Sequence, residues 1–144
     1  MVYGGSSAGL MGALANAALQ AGGEVIGVIP RSLVAKEVAH PGLSDLRVVE
    51  SMHQRKALMA DLSDAFIAMP GGYGTLDEFC EVLTWNQLGL LNKPCGILNT
   101  AGYFDPLLRL FDHAVEEHFL KASNRRLAIS ESDPEALIER LLNR

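Results

Sequence analysis

Nine residues, Pro70-Gly-Gly-Tyr-Gly-Thr-Leu-Asp-Glu78, set a glycine loop of phosphate size beside a carboxylate at the start of a helix. The preceding run, Ala65-Phe-Ile-Ala-Met69, is short, apolar and bounded by Pro and Gly, as a buried strand is. After the loop, Leu76, Phe79, Cys80 and Leu83 recur at three- and four-residue spacings, as on a helix. The glycines therefore lie between a strand's carboxyl end and a helix's amino end. Unpaired N–H groups and the positive end of the helix dipole attract anions there. Gly71, Gly72 and Gly74 let a backbone come close to one. The same residues have a plainer use, because Thr75-Leu-Asp-Glu78 also spells a capping box in which Thr75 caps and Glu78 reaches back. A cap needs at most one glycine, and three in four residues favour a ligand.

Two more segments have similar chemistry. Gly4-Gly-Ser-Ser-Ala-Gly9-Leu-Met-Gly12 is a second glycine-rich turn before a helix, with Gly5 and Ser6 at its start. It is not a P-loop, since Gly9 is followed by Leu10-Met11 and not by Lys. Nor is it a dinucleotide fingerprint, because the next strand ends Ile29-Pro-Arg31 with no acidic residue. Gly12 alone reads as close helix packing. Ser51-Met-His-Gln-Arg55-Lys56 opens another helix, with Ser51 and Gln54 able to form a capping box. Adjacent cations usually mark a solvated face, yet here they sit near a helix amino end, where the dipole slightly disfavours them.

The elements that must position these residues alternate. Strands are expected at Glu24–Ile29, Leu46–Val49, Ala65–Met69, Cys95–Leu98 and Leu127–Ile129, and helices at Leu10–Ala21, Met52–Leu62, Thr75–Leu88, Pro106–Phe119 and Pro134–Leu142. Strands joined by helical crossovers pair in parallel, so the fold class is α/β: a Rossmann-like open parallel sheet with helices on both faces, in one domain over residues 1–144. On such a sheet the carboxyl ends of the strands share a rim, where Gly5, Arg55 and Glu78 can converge. Asp105-Pro106 and Asp133-Pro134 each read as an N-cap with proline at the first helical position. Arg31 to Asp45 reads as a loop. Met1-Val-Tyr3 is too short for a whole strand, so the domain reads as N-terminally short.

Composition narrows the partners. A net charge of −5 over 144 residues argues against a nucleic-acid or anionic-membrane surface and for a small ligand in a local site. No apolar run approaches the about 20 residues of a membrane span, and the start lacks a signal-peptide pattern, so a cytoplasmic location is expected. Cys80 and Cys95 read as core thiols, and His40, His53, His113 and His118 show no metal-ligand spacing.

Together, YGG-SSAGLMG, MHQRK and PGGYGTLDE, with VIGVIP, TWNQLG, KPCGILN and GYFDPLL, resemble the LONELY GUY family of cytokinin-activating nucleoside 5'-monophosphate phosphoribohydrolases over nearly the whole chain. The resemblance implies hydrolysis of the N-glycosidic bond of an adenine-type nucleoside monophosphate, with no cofactor. Arg55 and Glu78 match the family's catalytic arginine and glutamate. Glu78 would stabilise positive charge at C1' and orient water. Arg55 would hold Glu78 ionised, or bind the ribose or departing base. The resemblance puts the phosphate on the Gly71–Thr75 loop, at the amides of Gly72, Gly74 and Thr75, with Gly5, Ser6, Met52 and Lys56 bordering the nucleotide. It also implies a homodimer or larger assembly, for which the helix end with Trp85, Leu88, Leu90 and Leu91 offers apolar surface. Ser6 stands where relatives commonly have glycine, and the family's upstream strand and Cys-Gly-Ser loop are not in this sequence. Two other readings compete. A nucleotide-sensing domain would use the same loops without turnover. A lysine decarboxylase, a label given to such relatives, would need pyridoxal phosphate on a lysine beside a phosphate cradle, and only Lys56 lies near one.

Overall fold

The computed structural model describes residues 1–36 and 38–143, which fall into two compact units, Met1–Ser63 and Asp64–Arg144. The class is α/β and every strand pairs in parallel, as expected. Pairing runs in two three-stranded sheets, one in each unit.

In the first unit, β1 (Val2–Tyr3) leads to α1 (Gly9–Gln20), β2 (Ile26–Pro30), β3 (Asp45–Val49) and α2 (Met52–Leu62). The sheet order is β1-β2-β3, with Tyr3 opposite Gly27 and Pro30 opposite Val49. The central strand reads as a continuous apolar run because both its faces are covered, and Val28 and Ile29 are fully buried. On α1, Ala15 packs with Tyr3 and Val25. Gly12 has the packing role expected of it, since a Cβ there would stand 2.0 Å from the Ser7 carbonyl oxygen. The segment after β2 holds a 3₁₀ turn, Arg31–Leu33, and an antiparallel bridge from Ala39 back to Ser6. Residue Glu37 of the expected loop lies outside the described residues.

The second unit runs β4 (Phe66–Ala68), α3 (Tyr73–Gln87), β5 (Cys95–Leu98), α4 (Asp105–Glu116), α5 (Ala122–Arg125), β6 (Ala128–Glu131) and α6 (Pro134–Leu142), with a 3₁₀ turn at Thr100–Gly102. The sheet order is β4-β5-β6. Alternation along β5 sends Cys95 and Ile97 to one face, where they meet Phe79, Val82 and Phe104. Gly96 faces the other way, close enough to α6 that a Cβ would stand 2.8 Å from Leu137 Cδ1. Leu137 and Leu141 fill that side with Ile129.

The ends of three helices differ from expectation, those of α1 by one residue each. The α3 helix starts at Tyr73 and not at Thr75, and it stops where Gly89, at φ 71°, turns the chain left-handed. There the Leu90 N–H donates to the Trp85 carbonyl and the Gly89 N–H to that of Asn86, a Schellman motif. The α4 helix ends at Glu116, short of Phe119, because His118 takes the same left-handed position at φ 63°. Replacing it with glycine, His118→Gly, is expected to stabilise the chain by about 1 kcal/mol, read as a higher urea midpoint with unchanged slope. At its start, Asp133 caps α6 through the Ala136 N–H, whereas Asp105 is already inside α4 and accepts instead from Asn99 Nδ2 at 2.7 Å.

Cys95 is a core thiol, as expected. Cys80 is half-buried, and burial together with the Asp77 carboxylate pushes its thiol pKa up. Among the described residues no helix is long and apolar enough to cross a membrane.

Candidate functional site

The residues singled out divide between the units. Gly5, Ser6, Met52, Arg55 and Lys56 belong to the first, and Gly71, Gly72, Gly74, Thr75 and Glu78 to the second. Each group lies at the carboxyl end of its own parallel sheet, where loops leave the strands for the helices.

In the first unit Arg55 is the organising side chain. Ser51 caps α2 by accepting the Gln54 N–H, and Gln54 Oε1 accepts from the Glu50 N–H, one residue earlier than a strict capping box. This fixed start places Arg55 in the second turn. Although adjacent cations suggested a solvated face, Arg55 is only 5% exposed. Its Nε donates to the Val28 carbonyl at 3.0 Å and its Nη2 to the Gly4 carbonyl at 2.9 Å. The guanidinium thus staples β2 to the chain leaving β1, just where their ladder ends at Tyr3–Gly27. Gly4 makes room for it, since a Cβ there would fall 2.1 Å from Nη2. Met52 is partly exposed and its sulfur lies 3.9 Å from Arg55 Nη1, while Lys56 is half-buried.

Gly5 adopts φ 82°, which only glycine takes without strain, and its Cα side lies against Gly27. Ser6 is turned inward at 3% exposure. Its hydroxyl accepts the Ala8 N–H at 3.1 Å and its carbonyl accepts from Tyr3 Oη at 3.0 Å. Burial pushes the Tyr3 phenol pKa up, so it remains a donor. Ser6 therefore supports the turn that carries Gly5.

In the second unit the start of α3 removes the plain capping explanation. The N-cap is Gly72, without a side-chain cap, and Thr75 is the third helical residue. The first intrahelical bond runs from the Leu76 N–H to the Gly72 carbonyl at 3.2 Å, so the amides of Gly72, Tyr73, Gly74 and Thr75 precede it. Glu78 lies in the second turn, one turn beyond Gly74 and Thr75 on the same face and outside the capping positions.

The three glycines here have different reasons. A Cβ on Gly71 would strike Thr75 Oγ1 at 2.2 Å, so this glycine is required by the protein's own packing. At Gly72 and Gly74 a Cβ would meet nothing within 4 Å, and both are exposed. Fold packing does not ask for glycine there. The open space beside their amides is where a helix amino end can receive an anion.

The sequence of the whole chain can be set beside those of known proteins. A family model described as "Possible lysine decarboxylase" matches residues 11–141. The cytokinin riboside 5'-monophosphate phosphoribohydrolase of Rhodococcoides fascians is 58% identical over 139 residues, covering 96% of this chain and 70% of that one. The chain belongs to the LONELY GUY family. A family member of the same name from Arabidopsis thaliana is 48% identical over 141 residues, covering 98% of this chain and 66% of that one. A probable one from Oryza sativa subsp. japonica is 50% identical, and this chain spans 58% of its length.

The family model's decarboxylase description finds little to stand on in the residues. Lys93 and Lys121 precede β5 and α5, on the side of the second sheet away from the glycine loop, and Lys36 is an exposed turn residue. Lys56 lies on α2 next to Arg55, with no glycine cradle in its own helix start. The lysines present do not fit a Schiff-base cofactor beside a phosphate loop.

Two contacts here were not legible in the sequence. The Gly4 carbonyl holds Arg55, and Tyr103 Oη donates to the Gly71 carbonyl at 2.8 Å. The second joins residues 32 apart, and the only local signal was an aromatic residue in GYFDP.

Proposed function

We propose that this chain hydrolyses the N-glycosidic bond of adenine-type, cytokinin-class nucleoside 5'-monophosphates, giving the free base and ribose 5-phosphate. The observation that supports this reading most is the uncapped start of α3, whose two exposed glycines serve no packing need, in a chain that matches phosphoribohydrolases over almost all its length. The phosphate rests on the amides of Gly72, Gly74 and Thr75. Glu78 stabilises the oxocarbenium character that grows at C1' and orients the attacking water. The C1'–N9 bond breaks with its electron pair leaving on the base, the water oxygen bonds C1', and a proton ends on the base nitrogen. Arg55 supplies the second charged group of the reaction.

Glycine substitutions separate the roles. Gly71→Ala is expected to destabilise the chain by about 1–3 kcal/mol through the clash with Thr75, whereas Gly74→Ala leaves stability equal or slightly higher. Gly74→Ala nevertheless weakens nucleotide binding, as calorimetric titration with AMP would show. Equal AMP affinity in wild type and Gly74→Ala would remove the phosphate from this loop.

The functional reading is tested by offering the chain adenosine and AMP in parallel. Base release from AMP alone is expected; equal release from both would deny a role for the phosphate. The chain is also proposed to work as a homodimer or larger assembly. Leu88 and Leu90 are 62% and 73% exposed after α3, while Trp85 and Leu91 pack on the core. Light scattering on the eluting protein checks this.

A further inference from the structure

Gly71 and Gly72 are joined by a Gly–Gly peptide, a kind that flips easily because neither residue has a Cβ to hold its dihedrals. In a planar trans peptide the carbonyl of Gly71 and the N–H of Gly72 point in opposite directions. Whatever grips that carbonyl therefore also aims that N–H. Tyr103 Oη does so, donating to Gly71 O at 2.8 Å. The loop after β5 thus orients the first amide of the loop after β4.

Tyr103 is itself held. Its ring meets that of Phe104 edge-on, with centroids 5.0 Å apart at 89°, and Phe104 is buried in the core. The Asn99 side chain fastens the turn at both ends, accepting the Phe104 N–H through Oδ1 and donating to Asp105 Oδ1 through Nδ2, each at 2.7 Å. Between them Ala101 and Gly102 sit at φ 52° and 70°, and a Cβ on Gly102 would lie 2.7 Å from Asp105 Oδ2. A non-glycine residue in this left-handed region costs free energy, and it persists where the surroundings over-determine it. Tyr103 is half exposed and carries no load in the core, so its hydroxyl is not explained by packing.

We infer that Tyr103 is a positioning residue for the phosphate loop: it locks the Gly71–Gly72 peptide with the Gly72 N–H facing outward to the 5'-phosphate. This rests on the functional reading above. It names a group that acts through the backbone and does not touch the reacting atoms. Tyr103→Phe keeps the ring and removes only the donor. The free peptide then samples both orientations, and binding is weakened by the loss of about one hydrogen bond, roughly five- to tenfold.

The test measures kcat and KM for AMP, and the affinities for ribose 5-phosphate and for ribose, in wild type and Tyr103→Phe. The expected result is a five- to tenfold rise in KM and equal weakening of ribose 5-phosphate, with kcat within twofold and ribose unaffected. Asn99→Ala, which unties the turn carrying Tyr103, should raise KM in the same direction. If wild type hydrolyses AMP and prefers ribose 5-phosphate to ribose, but Tyr103→Phe matches it in KM and affinity, the inference is overturned. A fall in kcat with KM unchanged would also overturn it. If wild type itself shows neither turnover nor a preference for the phosphorylated sugar, it is the functional reading that fails.

Discussion

Glu78→Gln is expected to lower kcat for AMP by about 10²–10⁴-fold while AMP affinity stays within a few-fold of wild type. Glutamine keeps the size and the hydrogen-bonding reach of the side chain and removes the charge proposed to stabilise C1'. The helix does not depend on that charge for its start, because the N-cap is Gly72 and the first turn of α3 holds no acidic residue. The favourable interaction of a carboxylate with the dipole that is lost amounts to about 0.3–1 kcal/mol. Stopped-time base release and calorimetric AMP binding, run on the same preparation, read both quantities. Undiminished turnover in Glu78→Gln would take the carboxylate out of the chemistry. Turnover and binding lost together, with the unfolding midpoint preserved, would make Glu78 a binding group.

Arg55→Lys is expected to cost both stability and activity. The guanidinium reaches Val28 O and Gly4 O from two of its nitrogens, and one ammonium on a flexible stem cannot hold both in that geometry. Losing a charged hydrogen bond in a site only 5% exposed should lower the unfolding free energy by about 2–4 kcal/mol, seen as a lower urea midpoint. Activity should fall by at least about 10²-fold, because the charge and the chain around Gly4–Gly5 both shift. Gly4→Ala is the companion variant, since its Cβ would meet Nη2 at 2.1 Å and displace the guanidinium without altering any charge. If Arg55→Lys were as stable and as active as wild type, the staple between β1 and β2 would have no weight.

Much of this was legible because periodicity reports burial. Met52–Leu62, Cys95–Leu98 and Pro134–Leu142 have in the structure the ends that their pattern and caps predict. The misses have different causes, and only one of them is a partner distant in sequence. Thr75 looked like a cap because Glu78 follows it at capping-box spacing, yet the helix begins at Tyr73, with Gly72 as an N-cap that has no side chain to cap it. Asp105 looked like a cap, but Asn99 takes its carboxylate and also binds the Phe104 N–H, so α4 starts a residue early. Arg55 beside Lys56 looked like surface, and no local pattern could show that Gly4 leaves space for a guanidinium 51 residues away. The sequence marked the three glycines together and could not sort them. Only the environment of each Cα separates Gly71, which packs, from Gly72 and Gly74, which face open space.

The central claim is hydrolysis of a nucleoside monophosphate at C1', and chromatographic assay of AMP and isopentenyladenosine monophosphate with the full chain tests it most directly. The account predicts free base appearing one-for-one with ribose 5-phosphate, and abolished in Glu78→Gln. Binding of either nucleotide with no base released, or release of the nucleoside and inorganic phosphate in place of the base, would contradict it.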